Sequence, residues 1–192
     1  MPGTVEAQSA MAFLRGLRAV RNFRAEPVPE EVIAELLQVA RWSGSAKNEQ
    51  PWEFIVVRDR DTLRALAAVE DSTAPHLAGA AVGIILVMRG DPKRVAQETF
   101  DEGRLSERIL LAASAFGVGG CVGWLTGRGR DAAKAILGIP PERFVRTALS
   151  LGYPDEAARA ARPKPPQARK PLASLVSNER YGQRPNGASA GR

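Results

Sequence analysis

Between Arg41 and Val57 the chain reads RWSGSAKNEQPWEFIVV. Ser43, Gly44, Ser45, Asn48 and Gln50 are held there between a helical apolar pattern and a strand-like one. Hydroxyl and amide groups on a loop pinned at both ends are suited to binding, because the scaffold holds their donors and acceptors still. A tight, capped connection with no ligand is the alternative that these residues alone leave open. A second set is Arg18-Ala19-Val20-Arg21, at the end of another helical pattern. Two arginines three apart can lie on one side of a helix end and hold a phosphate through charge-assisted hydrogen bonds. A solvated basic face is the plainer account of the same pair. Arg169, late in the chain, could bring a third guanidinium to that anion.

Other chemistries are poorly supplied. Cys121 is the only cysteine, which excludes an internal disulfide and a cysteine-cluster metal site. His76 is the only histidine, so a multi-histidine zinc site cannot be built in one chain. No G-x-S-x-G elbow accompanies it, so hydrolytic chemistry is poorly supported by the residues present. His76 lies in the polar stretch EDSTAPH and is expected in a surface loop. No metal site and no catalytic side chain is assigned. The glycine-rich stretch from Gly117 to Gly129 is not a dinucleotide fingerprint: Val122 stands where glycine is required, and the stretch follows a helix instead of a strand. Close approach of its backbone to a flat ligand remains open.

The elements that must position these groups follow from periodicity. Residues 8–20 have helical spacing, with Met11, Leu14 and Leu17 on one face. Pro27 and Pro29 mark a turn, after which Ile33, Leu36, Leu37 and Ala40 predict an amphipathic helix. Strands are predicted at 54–57, 82–88 and 144–152, and short helices at 61–69 and 131–137. A long helix spans about 93–117, with Leu105, Ile109, Ala112, Ala113 and Phe116 in one stripe. Gly103 weakens its middle by about 1 kcal/mol.

At 192 residues the chain can build one core, or one subunit of a shared core. The formal charge of +6 is not evenly spread. Residues 157–192 carry about +7, so the rest is close to neutral. That basic tail holds a single aromatic residue, Tyr181, and so lacks a stacking platform, which argues against a nucleic-acid partner. The tail reads as an arm carrying arginines toward an anionic ligand, with its last residues expected to be disordered. No apolar run approaches a membrane span and no leader is evident, so a cytoplasmic protein is expected.

Six segments in order carry a resemblance: RAVRNF at 18–23, PVPEEVIAELLQVARWSGSAKNEQPWEFIVV at 27–57, LLAASAFGVGGCVGW at 110–124, ILGIPPE at 136–142, LSLGYPDE at 149–156 and RKPLASLV at 169–176. Together they resemble the FMN-dependent nitroreductase family over most of residues 10–182. The resemblance implies an α+β fold with a mixed sheet flanked by helices, in an intertwined homodimer with an FMN in each interface cleft. Residues 1–156 would form the FMN-binding domain, and 157–192 the basic arm completing the same domain and dimer. It places Arg18, Ala19, Arg21 and Arg169 at the phosphate. Gly44, Ser45 and Asn48 would face the flavin of the other subunit, and Val122, Gly123 and Trp124 would lie against the ring.

The implied activity is hydride transfer from NADH or NADPH through FMN to a small-molecule acceptor, a nitroaromatic, quinone or similar compound, with ping-pong kinetics. The same fold could instead support dehydrogenation, dehalogenation, ene reduction or flavin breakdown. A non-catalytic flavin or nucleic-acid binder is the rival of a different class. Two departures stand out. Ala19 replaces a serine common in the family, removing a hydroxyl donor worth roughly 1 kcal/mol. Ser43-Gly44-Ser45 replaces Ala-Pro-Ser, substituting flexible glycine for stiff proline. The variable segment that covers the cleft falls near 70–105 and is short, implying an open cleft.

Overall fold

The structure is a computed structural model that describes residues 5–161 and 169–184. It separates into two compact units, residues 1–160 and 161–192. The first unit holds helices α1 (Val5–Gly16), α2 (Glu30–Arg41), α3 (Arg60–Ala67), α4 (Val95–Ala115), α5 (Gly127–Leu137) and α6 (Glu156–Ala160). Its strands are β1 (Trp52–Val57), β2 (Val82–Met88), β3 (Gly119–Trp124) and β4 (Phe144–Gly152). The described part of the second unit is short turns, including a 3-10 turn at Leu172–Ser174. The expected disorder of the last residues falls on 185–192, outside the described residues.

The strands form one sheet in the order β1-β2-β4-β3, and every strand pair is antiparallel. Parallel pairing among the described residues is confined to a single bridge, Ala19 to Gly120. The four-stranded sheet itself is antiparallel, and Ala19 of that bridge lies outside its strands. β2 is central and buried along its whole length, which is why VGIILVM reads as an unbroken apolar run. Its side chains alternate between two cores. Ile84, Leu86 and Met88 meet Ile33 and Leu36 of α2 and Leu105 and Ile109 of α4. Ile85 and Val87 meet Leu63 and Leu66 of α3, Leu77, and Ala133 of α5.

Register breaks once. Ile85 pairs with Ala148 but Val87 with Val145, so Arg146 and Thr147 together oppose the single residue Leu86. This is a β-bulge, and bulges re-aim side chains. Arg146 is directed to the α4 side, where its guanidinium pairs with Glu102 and packs over the rings of Phe144 and Trp124, each 5.7 Å from the centroid.

Four sequence readings are corrected. The first helix stops at Gly16, and the chain from Leu17 is extended, so Arg18 and Arg21 do not flank a helix end. A strand not predicted from the sequence, β3, runs through the glycine-rich stretch at Gly119–Trp124. His76 is buried at 8% exposure in a 3-10 turn at Pro75–Gly79. Phe116, placed in the apolar stripe of α4, is exposed. Among the described residues no helix is long and apolar enough to cross a membrane.

Candidate active site

The extended segment after α1 is sewn to the sheet end. Val20 N–H donates to Gly120 O at 2.8 Å, Arg24 N–H to Tyr153 O at 2.9 Å, and Asp155 N–H to Asn22 O at 3.1 Å. Val20 is buried by this docking, and Arg18 and Arg21 are left exposed on either side of it. Arg18 Nη1 donates to the carbonyls of Arg15 and Leu17 at 2.6 and 2.7 Å, closing the end of α1. Arg21 donates no hydrogen bond among the described residues. The Ala19–Gly120 bridge places both arginines beside the start of β3, on the same strand as Val122, Gly123 and Trp124.

Along β3 the chain is paired on its outer side as well. Trp124 N–H donates to Thr73 Oγ1 and Thr73 N–H to Trp124 O, both at 2.8 Å. This draws Ala74 onto Gly123 so closely that a Cβ there would stand 2.7 Å from Ala74 Cα. Glycine at 123 is therefore required by packing within the protein. Val122 is half-buried against the α2–α4 core, whereas Trp124 is exposed.

The loop after α2 is held by short-range bonds. Gln50 N–H donates to Ser45 Oγ at 2.9 Å, Asn48 N–H to Ser45 O at 3.1 Å, and Ala46 N–H to Asp101 Oδ2 at 3.4 Å. Ser45 thus accepts, leaving its own O–H available as a donor. Lys47, Asn48 and Gln50 all have positive φ, at 54°, 56° and 48°. Left-handed backbone at non-glycine residues costs of order 1 kcal/mol each and clusters at functional loops. The Asn48 side chain is exposed, with no side-chain hydrogen bond among the described residues. A Cβ at Gly44 would stand 2.6 Å from Arg104 Nη2, so glycine here makes room for a guanidinium.

This loop leads into β1, whereas the arginines flank β3, and β1 and β3 are the two edges of the sheet. Three strand spacings, about 14 Å, separate them. The two sets of candidate residues therefore lie at opposite edges of the sheet within one protomer. Arg169 is exposed in the second unit.

An Archaeoglobus fulgidus protein named as a candidate NADH dehydrogenase/NAD(P)H nitroreductase is 35% identical over 148 residues, covering 72% of this chain and 82% of that protein. The sequence model of the Nitroreductase family matches residues 14–103. The chain belongs to the nitroreductase family. Another relative of this nitroreductase-family chain is 5,6-dimethylbenzimidazole synthase of Rhodospirillum rubrum, 29% identical over 176 residues and covering 76% and 82% of the two chains. Among solved structures, the FMN-dependent nitroreductase NfnB from Mycobacterium smegmatis, in complex with NADPH, superposes with a TM-score of 0.75 at 24% identity. That match covers 91% of this chain and 100% of the other, and it establishes the shared nitroreductase fold.

Sequence reasoning missed two polar clusters of this family member. In one, His76 Nδ1 and Ser150 Oγ are 2.7 Å apart, and Ser150 O–H is 3.4 Å from Cys121 O. His76 Nε2 is buried without a hydrogen-bond partner. Burial holds its pKa below the usual imidazole value, and the charge of Arg21 lowers it further; the Val122 and Thr73 backbones pull the other way. In the other, Glu102 is buried at 1% exposure and paired with Arg146, with Glu102 Oε1 and Arg146 Nε left unpartnered. A signal existed for the second cluster. Glu98, Asp101 and Glu102 fall at helical spacing ahead of Leu105 and Ile109, continuing the buried stripe of α4.

Proposed function

We propose that the chain is an FMN-dependent oxidoreductase that takes hydride from NADH or NADPH and reduces a nitroaromatic, quinone or similar acceptor. The observation that carries this reading is the division of the candidate site between the two sheet edges. Two copies can complete it: one gives Arg18, Ala19, Arg21 and the β3 backbone, and the other gives Gly44, Ser45 and Asn48. A homodimer also accounts for the apolar surface of the first unit. A groove of about 970 Å³ is lined by Phe13, Val39, Phe100 and Leu111 among others, an apolar surface that a second copy of this chain would cover.

The donors present suit FMN. Arg21 has its full guanidinium available and Arg18 retains Nε and Nη2, together matching a phosphate dianion. Ser45 O–H and the Asn48 amide suit the polar edges of a flavin ring or its ribityl chain. Arg169 is proposed to add a guanidinium from the arm, residues 157–192. FMN, when bound, supplies the redox chemistry. The protein's part is to fix orientation and exclude water: Val122 and Gly123 offer backbone to the ring, and Trp124 forms a wall. No side chain acts as an obligatory acid or base. NAD(P)H and acceptor use one cleft in turn, which gives ping-pong kinetics.

Purified protein should absorb in the flavin bands, bleach anaerobically with NADH or NADPH, and regain colour on adding an acceptor. Asn48→Leu should retain less FMN while the fold persists, as judged by circular dichroism. Leucine at a positive φ costs roughly 1 kcal/mol of stability, so retention is measured well below the melting temperature. A colourless protein that takes up no FMN, or a strictly monomeric one by sedimentation, would sink the reading. The likeness to 5,6-dimethylbenzimidazole synthase favours a second reading, in which the fold is kept and the flavin reaction differs. Reduced protein that no nitroaromatic or quinone reoxidises would support it.

A further inference from the structure

Arg146 reaches three partners at once. The β4 bulge turns it toward α4, where its guanidinium pairs with Glu102 and lies over the rings of Trp124 and Phe144, each centroid 5.7 Å away. Its backbone is tied to the same neighbourhood, since Arg146 O accepts from Leu125 N–H at 2.7 Å. On the other side of β3, Thr73 bonds the N–H and the carbonyl of Trp124. The Trp124 backbone is therefore fixed from both flanks. Its ring is 52% exposed, and its indole N–H donates to no described residue. The Arg146 guanidinium is the charged group that lies against that ring. Neither Trp124 nor Arg146 lines the groove that a second copy would cover.

Stability explains the ion pair poorly. Glu102 is buried and Arg146 largely so, and Glu102 Oε1 and Arg146 Nε have no hydrogen-bond partner among the described residues. Packed apolar side chains of the same volume commonly do as well as such a pair, because both charges must leave water and each unmet polar atom adds to that cost. Apolar residues would not supply a cation locked against an exposed ring. Glu102 fixes the guanidinium from α4, and the guanidinium attracts one face of the indole. The indole then has one preferred orientation at the end of β3.

We infer that Glu102 and Arg146 are a positioning pair that sets Trp124 as a wall of the flavin cleft, and through it the grip on flat aromatic acceptors. The inference rests on the oxidoreductase reading, which puts β3 against the ring of FMN. A side chain ordered before binding loses little rotamer freedom when a flat molecule stacks on it, an advantage of about fivefold in affinity for one indole. Neither Glu102 nor Arg146 touches the acceptor, so the effect falls on binding and not on electron transfer.

The test uses Glu102→Leu with Arg146→Met, which removes both charges together and strands neither. In protein labelled with 5-fluorotryptophan, the Trp124 signal is the one lost in Trp124→Phe. In the double variant, with or without FMN, that signal should narrow and shift, while those of Trp42 and Trp52 stay in place. With FMN bound, KM for menadione, a flat quinone, should rise about fivefold at unchanged kcat. The kcat/KM for ferricyanide, which has no ring to stack, should not move. Arg146→Lys keeps the charge and should keep most of the menadione affinity. A Trp124 signal unmoved in the double variant would overturn the inference. So would an equal loss with both acceptors, which a merely structural role produces. If the signal moves but the FMN-loaded protein reduces neither acceptor, the positioning stands and the oxidoreductase reading fails. If both acceptors are reduced and neither the signal nor KM responds, the reverse holds.

Discussion

Replacing Gly123 by alanine offers a quantitative check on how β3 is held. The added Cβ would stand 2.7 Å from Ala74 Cα and 3.2 Å from Ala74 N, and closer still to the Ala74 methyl. Ordinary carbon contacts begin near 3.5 Å, so the segment carrying Ala74 must retreat by roughly 1 Å. That movement stretches the two 2.8 Å bonds between Thr73 and Trp124 beyond hydrogen-bond range. Each lost bond costs about 0.5–1.5 kcal/mol, and overpacking about 1–3 kcal/mol. These effects share one displacement and do not add fully, so a loss of about 2–4 kcal/mol is expected. Urea unfolding of flavin-free protein at fixed protomer concentration measures it without any contribution from cofactor. Adding Ala74→Gly should recover part of the loss, because it removes the closest atom. A loss below about 0.5 kcal/mol, or a double variant no better than the single one, would refute the tight-packing argument.

Two further outcomes follow from the buried polar clusters. Arg146→Met should destabilise by about 3–5 kcal/mol, because it strands the Glu102 carboxylate at 1% exposure; Arg146→Met with Glu102→Leu should recover most of that in the same urea assay. His76 has a folded pKa below its unfolded value, so the unfolded chain binds the extra proton first as pH falls. Its contribution is therefore complete above the ordinary imidazole pKa of about 6.5 and is lost as pH drops below it. Melting temperature should fall more steeply between pH 7.5 and 5 in the unaltered protein than in His76→Gln, and equal slopes would count against the buried-neutral assignment.

Legibility varied with the physics of each element. β2 falls at 82–88 as predicted, because a strand buried on both faces leaves a continuous apolar run, and β4 falls at 144–152 as predicted although Arg146, Thr147 and Ser150 interrupt its apolar residues. α2 was readable for the opposite reason, having one clean apolar stripe. β3 was obscured by its glycines, which lower strand propensity while meeting a packing need set by Ala74, a residue far away in sequence. His76 was misread because its neighbours are polar, whereas its partner Ser150 lies 74 residues on. Arg18 and Arg21 were recognised as a pair but assigned to the wrong backbone, since the bridge to Gly120 overrides local helical spacing. The loop at 43–50 was visible as a site from its residue types. Its matching with Arg104 was not, because only the fold brings α4 beside it.

The first helix carries a consequence for how the protein assembles. α1 has twelve residues and none is buried within the first unit; Met11, Phe13 and Leu14 face outward. A helix that short, without an apolar face docked on its own core, is barely stable in water. In the proposed dimer its ordering and the association of the two chains become a single equilibrium. Dilution would then unwind α1 while the sheet stays folded. Because Arg18 is tied back to the final turn of α1, the phosphate half-site would loosen with it. Affinity for cofactor would become a function of protein concentration.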